Sequence, residues 1–154
     1  MPIYHETGDL FTTKAHYIVV PVNNAAIMGR GVALEARKRY IGLQAVYTLG
    51  CHMGTQARNS ATFYNDLRWT HGIICLTTKN NWRDMGSLEL LDSGLITMVA
   101  WLKQHPHTAI ALPRVGAGLA GLAWTDVLNL INYRLRDSTN TITIYHQNET
   151  GGTP

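Results

Sequence analysis

The sequence predicts an α/β domain whose largely parallel sheet is covered by helices on both faces. Three observations lead there. The run "YIVVPV" at Tyr17–Val22 is β-branched without alternation, as expected of a strand buried on both sides. Strand-like runs alternate with helical periodicity along the rest of the chain. Two glycine clusters, Gly29–Gly31 and Gly116–Gly121, each stand between a strand candidate and a helix candidate.

The elements follow in order. Ile3–Glu6 reads as a short first strand. In Tyr17–Val22 the proline, Pro21, belongs near the strand's end, because it cannot donate to a central ladder. The stretch "GRGVALEARKRY" sets Val32, Leu34 and Ala36 against basic residues and predicts a helix from about Gly31. Ala61–Asp66, Gly72–Thr78 and Thr108–Val115 are further strand candidates. Between the last two lies a helical pattern, Leu88–Gln104, with Ser87 as N-cap and Glu89 in the first turn. Trp124–Arg136 is the last helix, with Thr125 and Asp126 at its start and Arg134 and Arg136 near its end, as the macrodipole favours. Thr141–Gln147 alternates and closes a sheet of about six strands.

With 154 residues the chain is expected to form one domain over residues 1–147, followed by a flexible polar tail, 148–154. The content is 45% hydrophobic and only 15% charged. Thirteen basic against ten acidic residues give +3, with a pI near 9.0. That balance is too mild to declare a nucleic-acid binder by itself, yet it suits a phosphate-bearing ligand or brief contact with DNA or RNA. The two cysteines, Cys51 and Cys75, form no CxxC pair, which points to a reduced, intracellular protein. There is no secretory signal and no run approaching the ~20 apolar residues of a membrane span, so a soluble, cytoplasmic protein is expected. Seven histidines are scattered without metal-ligand spacing, and neither a metal nor a cofactor is expected.

Ligands of open α/β sheets bind beyond the carboxyl ends of the strands. The segments expected there are Val22–Gly31, Thr77–Trp82 and Arg114–Gly121. Gly116, Gly118 and Gly121 match G-x-G-x-x-G, but the dinucleotide fingerprint belongs to a first βαβ unit, whereas this is the last crossover. A nicotinamide-dependent dehydrogenase is therefore set aside. No Walker lysine with a following Ser/Thr accompanies either cluster, which argues against a P-loop NTPase. What remains is physical. Glycines let backbone N–H groups approach an anion, and the following helix adds its positive end. Two such loops on one sheet edge suit a diphosphate held between them. The alternative is a pair of tight strand-to-helix turns with no ligand.

At these residues the sequence resembles the macrodomains, ADP-ribose-binding modules of three-layer α/β/α architecture. The matching pieces are "GDLF" (Gly8–Phe11), "VNNAAIMGRGVALEARKRY" (Val22–Tyr40), "LTTKNNWRD" (Leu76–Asp84) and "LPRVGAGLAGLAWTDV" (Leu112–Val127). The steps "MGRGVAL", "TTKNNWR" and "GLAGLAW" resemble in particular the branch containing the DarG antitoxin macrodomain and the terminal ADP-ribose protein glycohydrolase.

The resemblance implies a set of site residues. Asp9, with Leu10 beside it, would receive the adenine amino group. Asn23, preferred over Asn24, would lie near the distal ribose. Met28, Gly29, Arg30 and Gly31 would form the first binding loop, with Arg30 alternatively a solvated helix-start residue. Val115, Gly116, Ala117, Gly118, Leu119 and Ala120 would form the second. Tyr145 would stack on adenine or serve as a core tyrosine, and Thr78 precedes the reactive position. In this branch the residue matching Lys79 is the catalytic group. An amine can capture an opened sugar aldehyde as a Schiff base, provided it is in its neutral form, which burial or a neighbouring cation such as Arg83 would favour. Without the resemblance, Lys79 reads as an ordinary solvated lysine. Trp82 either stacks on a base or covers the end of the sheet.

Two departures refine the expectation. The protein-directed glycohydrolase carries an aspartate where this chain has Ala120, and DarG-like members lack it too. Val20 stands where DarG-like sequences often have asparagine. The resemblance thus implies a hydrolase that removes ADP-ribose from a macromolecule, thymidine-linked ADP-ribose on DNA first and ADP-ribosylated protein second. It would act as a monomer, without the toxin-binding domain of DarG. A module that only binds ADP-ribose, or a phosphatase of ADP-ribose 1″-phosphate, are the competing readings.

Overall fold

The computed structural model describes residues 3–118 and 120–147. In chain order it contains β1 (Tyr4–Thr7), a 3-10 turn (Leu10–Thr12), β2 (Tyr17–Val22), α1 (Gly31–Arg39), α2 (Leu43–His52), α3 (Thr55–Asn59), β3 (Ala61–Tyr64), β4 (Gly72–Thr77), α4 (Leu88–Lys103), β5 (Ile110–Leu112), α5 (Trp124–Leu135) and β6 (Ile142–His146). Leu119 of the second glycine loop and the segment 148–154, expected as a tail, lie outside the described residues.

The sheet order is β1-β6-β5-β2-β4-β3. Every pairing is parallel except that of β3 with β4. The carboxyl ends of β1, β6, β5, β2 and β4 therefore share one edge. Alternate strand residues serve opposite faces, as a period of two requires. Val19, Ile74, Leu76, Ile110, Leu112, Ile142 and Ile144 pack against α4 and α5, through Leu91, Leu95, Met98, Val127 and Ile131 among others. Ile18, Val20, Val22, Ile73, Cys75 and Ala111 pack against α1 and α2, through Ala36, Leu43 and Tyr47. The result is the three-layer α/β/α sandwich that the alternation of elements predicted.

Strand ends have local causes. Adjacent residues of a strand address opposite neighbours, and the Val22 carbonyl accepts from the Thr78 amide just beyond β4. Pro21 therefore faces the β5 side, where pairing stops at Ile18 opposite Ala111. Its missing N–H deprives no ladder. β3 ends at Tyr64 because Asp66 turns the chain, accepting from the backbone N–H and guanidinium of Arg68. That pairing holds the Asp66 carboxyl down at about 2.

Several expectations shift. The first strand is Tyr4–Thr7, exposed throughout, and it forms the sheet's edge outside β6. β5 has only three residues, halting before Pro113. The buried stripe of α1 is Ala33 and Ala36, continued by Tyr40, with Val32 and Leu34 only half-buried. α2 and α3 had no sequence signal, because each starts on a left-handed glycine, Gly42 (φ 84°) and Gly54 (φ 78°), without a side-chain cap. Cys51 and Cys75 are both free thiols, and burial pushes each up. No helix among the described residues is long and apolar enough to cross a membrane.

α4 approaches the sheet through Gly94, where an added Cβ would lie 2.6 Å from the Ser60 carbonyl oxygen and would overlap a Leu76 methyl. Gly94→Ala is expected to lower the unfolding free energy by about 1–3 kcal/mol, read by urea denaturation. α4 and α5 are clasped by Arg134, whose guanidinium donates to both Asp92 oxygens at 2.6 and 2.9 Å. That bonding holds the Asp92 carboxyl below the ordinary carboxylate range. A depressed native pKa stabilises above the unfolded value of about 3.9 and is lost as pH falls through the native one. Asp92→Asn should therefore be less stable than the parent protein at pH 7, with the difference narrowing in denaturation curves taken below about pH 4.

Candidate functional site: three laced loops at the carboxyl edge

Three loops leave the carboxyl ends of the central strands: residues 23–30 after β2, 78–87 after β4 and 113–123 after β5. The middle loop is bonded to both others. The Asn24 amide donates to the Asn80 carbonyl at 2.9 Å, and the Asn24 side chain donates to the Asn80 side-chain oxygen at 3.2 Å. On the other side the Gly86 amide donates to the Ala120 carbonyl at 2.6 Å. A Cβ at Gly86 would sit 2.8 Å from that of Ala120, so only glycine allows the approach. The Ser87 amide returns to the Thr78 carbonyl at 2.8 Å, and the Ser87 hydroxyl caps α4 by accepting from the Leu90 amide.

The first loop is shaped from within. Asn23 is buried, and its side-chain oxygen accepts from the Ala25 amide at 2.9 Å while its NH2 donates to the Ile27 carbonyl at 3.0 Å. The Tyr47 hydroxyl donates to the Asn23 carbonyl at 2.6 Å, and burial pushes that phenol far up, keeping it a donor. Ala26 is left-handed (φ 63°), an unusual cost for a residue with a Cβ. Met28 is buried in the core, so it offers the site its backbone only. Among the described residues, the amides of Met28, Gly29 and Arg30 donate to no acceptor. They lead into Gly31 (φ 57°) and the amino end of α1, where Arg30 is an exposed N-cap residue without a side-chain cap bond.

The second loop repeats the device. Gly116 (φ 75°) and Gly121 (φ 77°) are left-handed, and the Leu122 amide closes the turn onto the Gly116 carbonyl at 2.8 Å. Among the described residues, the amides of Gly116, Gly118 and Ala120 donate to no acceptor, while that of Ala117 donates to Arg114. Val115 is buried, and α5 begins without a side-chain cap. Backbone amides without an acceptor, in one loop at the start of α1 and in another leading towards α5, are chemically able to receive an anion, since such donors are already oriented by the backbone.

Lys79 lies half-buried between these loops in sequence and topology, and its Nζ donates to the Trp82 carbonyl at 3.0 Å. The Arg83 guanidinium lies over the Trp82 ring at 4.7 Å. A buried relay steadies this loop from below. The Thr62 hydroxyl donates to the Gln56 side-chain oxygen at 2.6 Å, and the Gln56 NH2 donates to the Cys75 carbonyl and the Thr77 hydroxyl, each at 3.0 Å. Thr77 then donates to the Asn24 side chain at 3.1 Å. Thr78 is consumed in structure, with its amide on the Val22 carbonyl.

At the β1–β6 end, Asp9 accepts from the Phe11 amide at 2.9 Å and lies 4.0 Å from Arg39, which covers the Phe11 ring. Leu10 is buried in the core beneath, and Tyr145 packs half-buried against the same cluster. His146 stacks on His5, and burial, then His5, then Arg114 push its imidazole down. A separate concavity of about 510 Å³ lies between α4 and α5, lined in part by Glu89, Asp92 and Asp126. Its acidic rim is unsuited to a diphosphate. Val20 is fully buried in the core beneath α1 and α2.

No protein-family model matches the chain. It is 31% identical over 127 residues to a DNA ADP-ribosyl glycohydrolase of Mycobacterium tuberculosis, covering 81% of this chain and 36% of that protein. It is 30% identical over 131 residues to a protein of the same name from Thermus aquaticus, covering 83% of this chain and 36% of that one. The structure superposes on the macrodomain of Mycobacterium tuberculosis DarG with a TM-score of 0.86 and 27% identity, covering 94% of this chain and 97% of that one. The chain belongs to the macrodomain family. It spans about a third of the length of these two curated relatives.

The macrodomain's loops were legible as glycine clusters, but the bonds that order them were not. Gln56, Tyr47 and Gly86 carried no motif, and Thr77 and Asn80 lay within "TTKNNWR" with no role assigned to them. Their signal is burial of polar groups, visible only after folding. Gln56→Met keeps the volume but leaves the Thr62 and Thr77 hydroxyls short of a buried partner. It should cost about 1–3 kcal/mol in chemical denaturation and shift the amide resonances of Asn24 and Asn80.

Proposed function

We propose that this macrodomain is an ADP-ribosyl hydrolase that releases ADP-ribose from DNA, with thymidine-linked ADP-ribose as substrate and Lys79 as the catalytic group. The observation that carries the reading is the Lys79 amine, held on a loop hydrogen-bonded to both anion-receiving loops. The names of the relatives at 30–31% identity support the same activity.

In this reading the amides of Met28, Gly29 and Arg30 take one phosphate of the ligand and those of Gly116, Gly118 and Ala120 the other, with Gly31, Val115, Ala117 and Leu119 completing the loops. Asp9, beside Leu10, receives the adenine amino group, and Tyr145 flanks the base. Asn23 acts by shaping its loop, and Asn24 and Thr78 act by tethering the Lys79 loop. The Lys79 amine bonds to the anomeric carbon of the distal ribose as the bond to the thymine nitrogen breaks, and the base leaves with the electron pair and takes up a proton. The lone pair of the lysine nitrogen then opens the sugar, the ring oxygen leaving the anomeric carbon and taking a proton, which gives a Schiff base that water hydrolyses to free ADP-ribose and lysine. Ala120 brings no carboxylate to the second loop, which favours DNA over a protein carboxylate as the acceptor. The protein acts as a monomer in the cytoplasm.

Lys79→Ala should reduce release of ADP-ribose from an ADP-ribosylated oligonucleotide to the uncatalysed background, while calorimetry still detects ADP-ribose binding. Undiminished release by that variant would overturn the mechanism. Binding by the parent protein without release would leave only a binding module.

A further inference from the structure

The indole of Trp82 stands outside the apolar packing of the described residues. It belongs to neither core cluster and makes no ring–ring contact among the described residues, and the residue is 47% exposed. Yet its backbone is committed, because the Trp82 carbonyl accepts from Lys79 Nζ at 3.0 Å. The ring is thus carried by the residue that fixes the amine. Its orientation is braced as well. The Arg83 guanidinium covers the ring at 4.7 Å. The Asn81 amide donates to Asp84 at 3.1 Å, and the Arg83 amide donates to the Asn81 side chain at 3.2 Å. Arg83 has no carboxylate partner among the described residues, so its charge remains available. A flat exposed aromatic ring with a free guanidinium beside it is the combination that receives an unstacked base and its phosphate.

We infer that Trp82 and Arg83 form a base platform: the nucleobase of single-stranded DNA that carries the ADP-ribose stacks on the indole, and Arg83 meets the flanking phosphate. This rests on the function proposed above and deepens it. Trp82 is then a specificity-determining residue, separating ADP-ribose on a base from ADP-ribose alone. The amide loops hold the nucleotide in either case, whereas the ring is used only when a base is attached.

The test compares Lys79→Ala with the double variants Lys79→Ala/Trp82→Ala and Lys79→Ala/Trp82→Phe, none of which should turn substrate over. Each is titrated with free ADP-ribose and with a single-stranded oligonucleotide bearing thymidine-linked ADP-ribose. Trp82→Ala should weaken the oligonucleotide about tenfold and free ADP-ribose by less than about twofold, and Trp82→Phe should restore most of the loss. Equal weakening of both ligands would mark Trp82 as merely structural and overturn the platform, as would an unchanged oligonucleotide affinity or a loss that phenylalanine does not restore. Release of ADP-ribose by the parent protein is scored separately. A protein that releases nothing, yet distinguishes the two ligands through Trp82, keeps the platform and loses the hydrolase.

Discussion

The arrangement depends on the two backbone hydrogen bonds that lace the loop after β4 to its neighbours, Asn24 to Asn80 on one side and Gly86 to Ala120 on the other. Loops at a sheet edge normally move independently, because each is anchored only by its own strand and helix. Here the middle loop borrows the rigidity of both glycine loops, and the Gln56 relay ties it to the buried floor. A single amine can then hold a fixed relation to two groups of free amides.

The electrostatics follow the same economy. A chain of net charge +3 with only 15% charged residues has little side-chain charge to spend on a diphosphate. In the proposed reading, main-chain N–H groups at the start of α1 and in the loop before α5 take that part, since their partial charges arrive already oriented and need no counter-ion. This also explains the glycines. Gly31, Gly116 and Gly121 adopt positive φ, where a residue with a Cβ would be strained, and so set the course of the two loops.

Much of this was legible in the sequence, for identifiable reasons. β2 and β4 are apolar on both faces, and α4 carries a true N-cap in Ser87, so both kinds of element announce themselves locally. The glycine clusters marked the loops because backbone conformation is written in residue type. What failed was everything dependent on distant partners. α3 is five residues long and begins at a left-handed glycine, so its buried Gln56 had no pattern to reveal it. The bonds by which the Asn23 side chain shapes its own loop, to Ala25 and Ile27, were equally out of reach of the sequence. Met28 was legible as part of the loop but not as a buried side chain. The position of β1 at the sheet's edge, outside β6, is likewise a matter of topology.

Pro21 has an effect out of proportion to its place near the end of a strand. The helix following β2 covers one face of the sheet, and that following β5 covers the other, so the seam between these strands is where the chain's winding reverses. An ordinary residue at Pro21 would offer an N–H across that seam and invite the two strands to zip further. The pyrrolidine ring withholds it, and Pro113 ends β5 at about the same level. Pairing between the two strands therefore stops at Ile18 opposite Ala111, short of the carboxyl end of β2, as a matter of covalent chemistry.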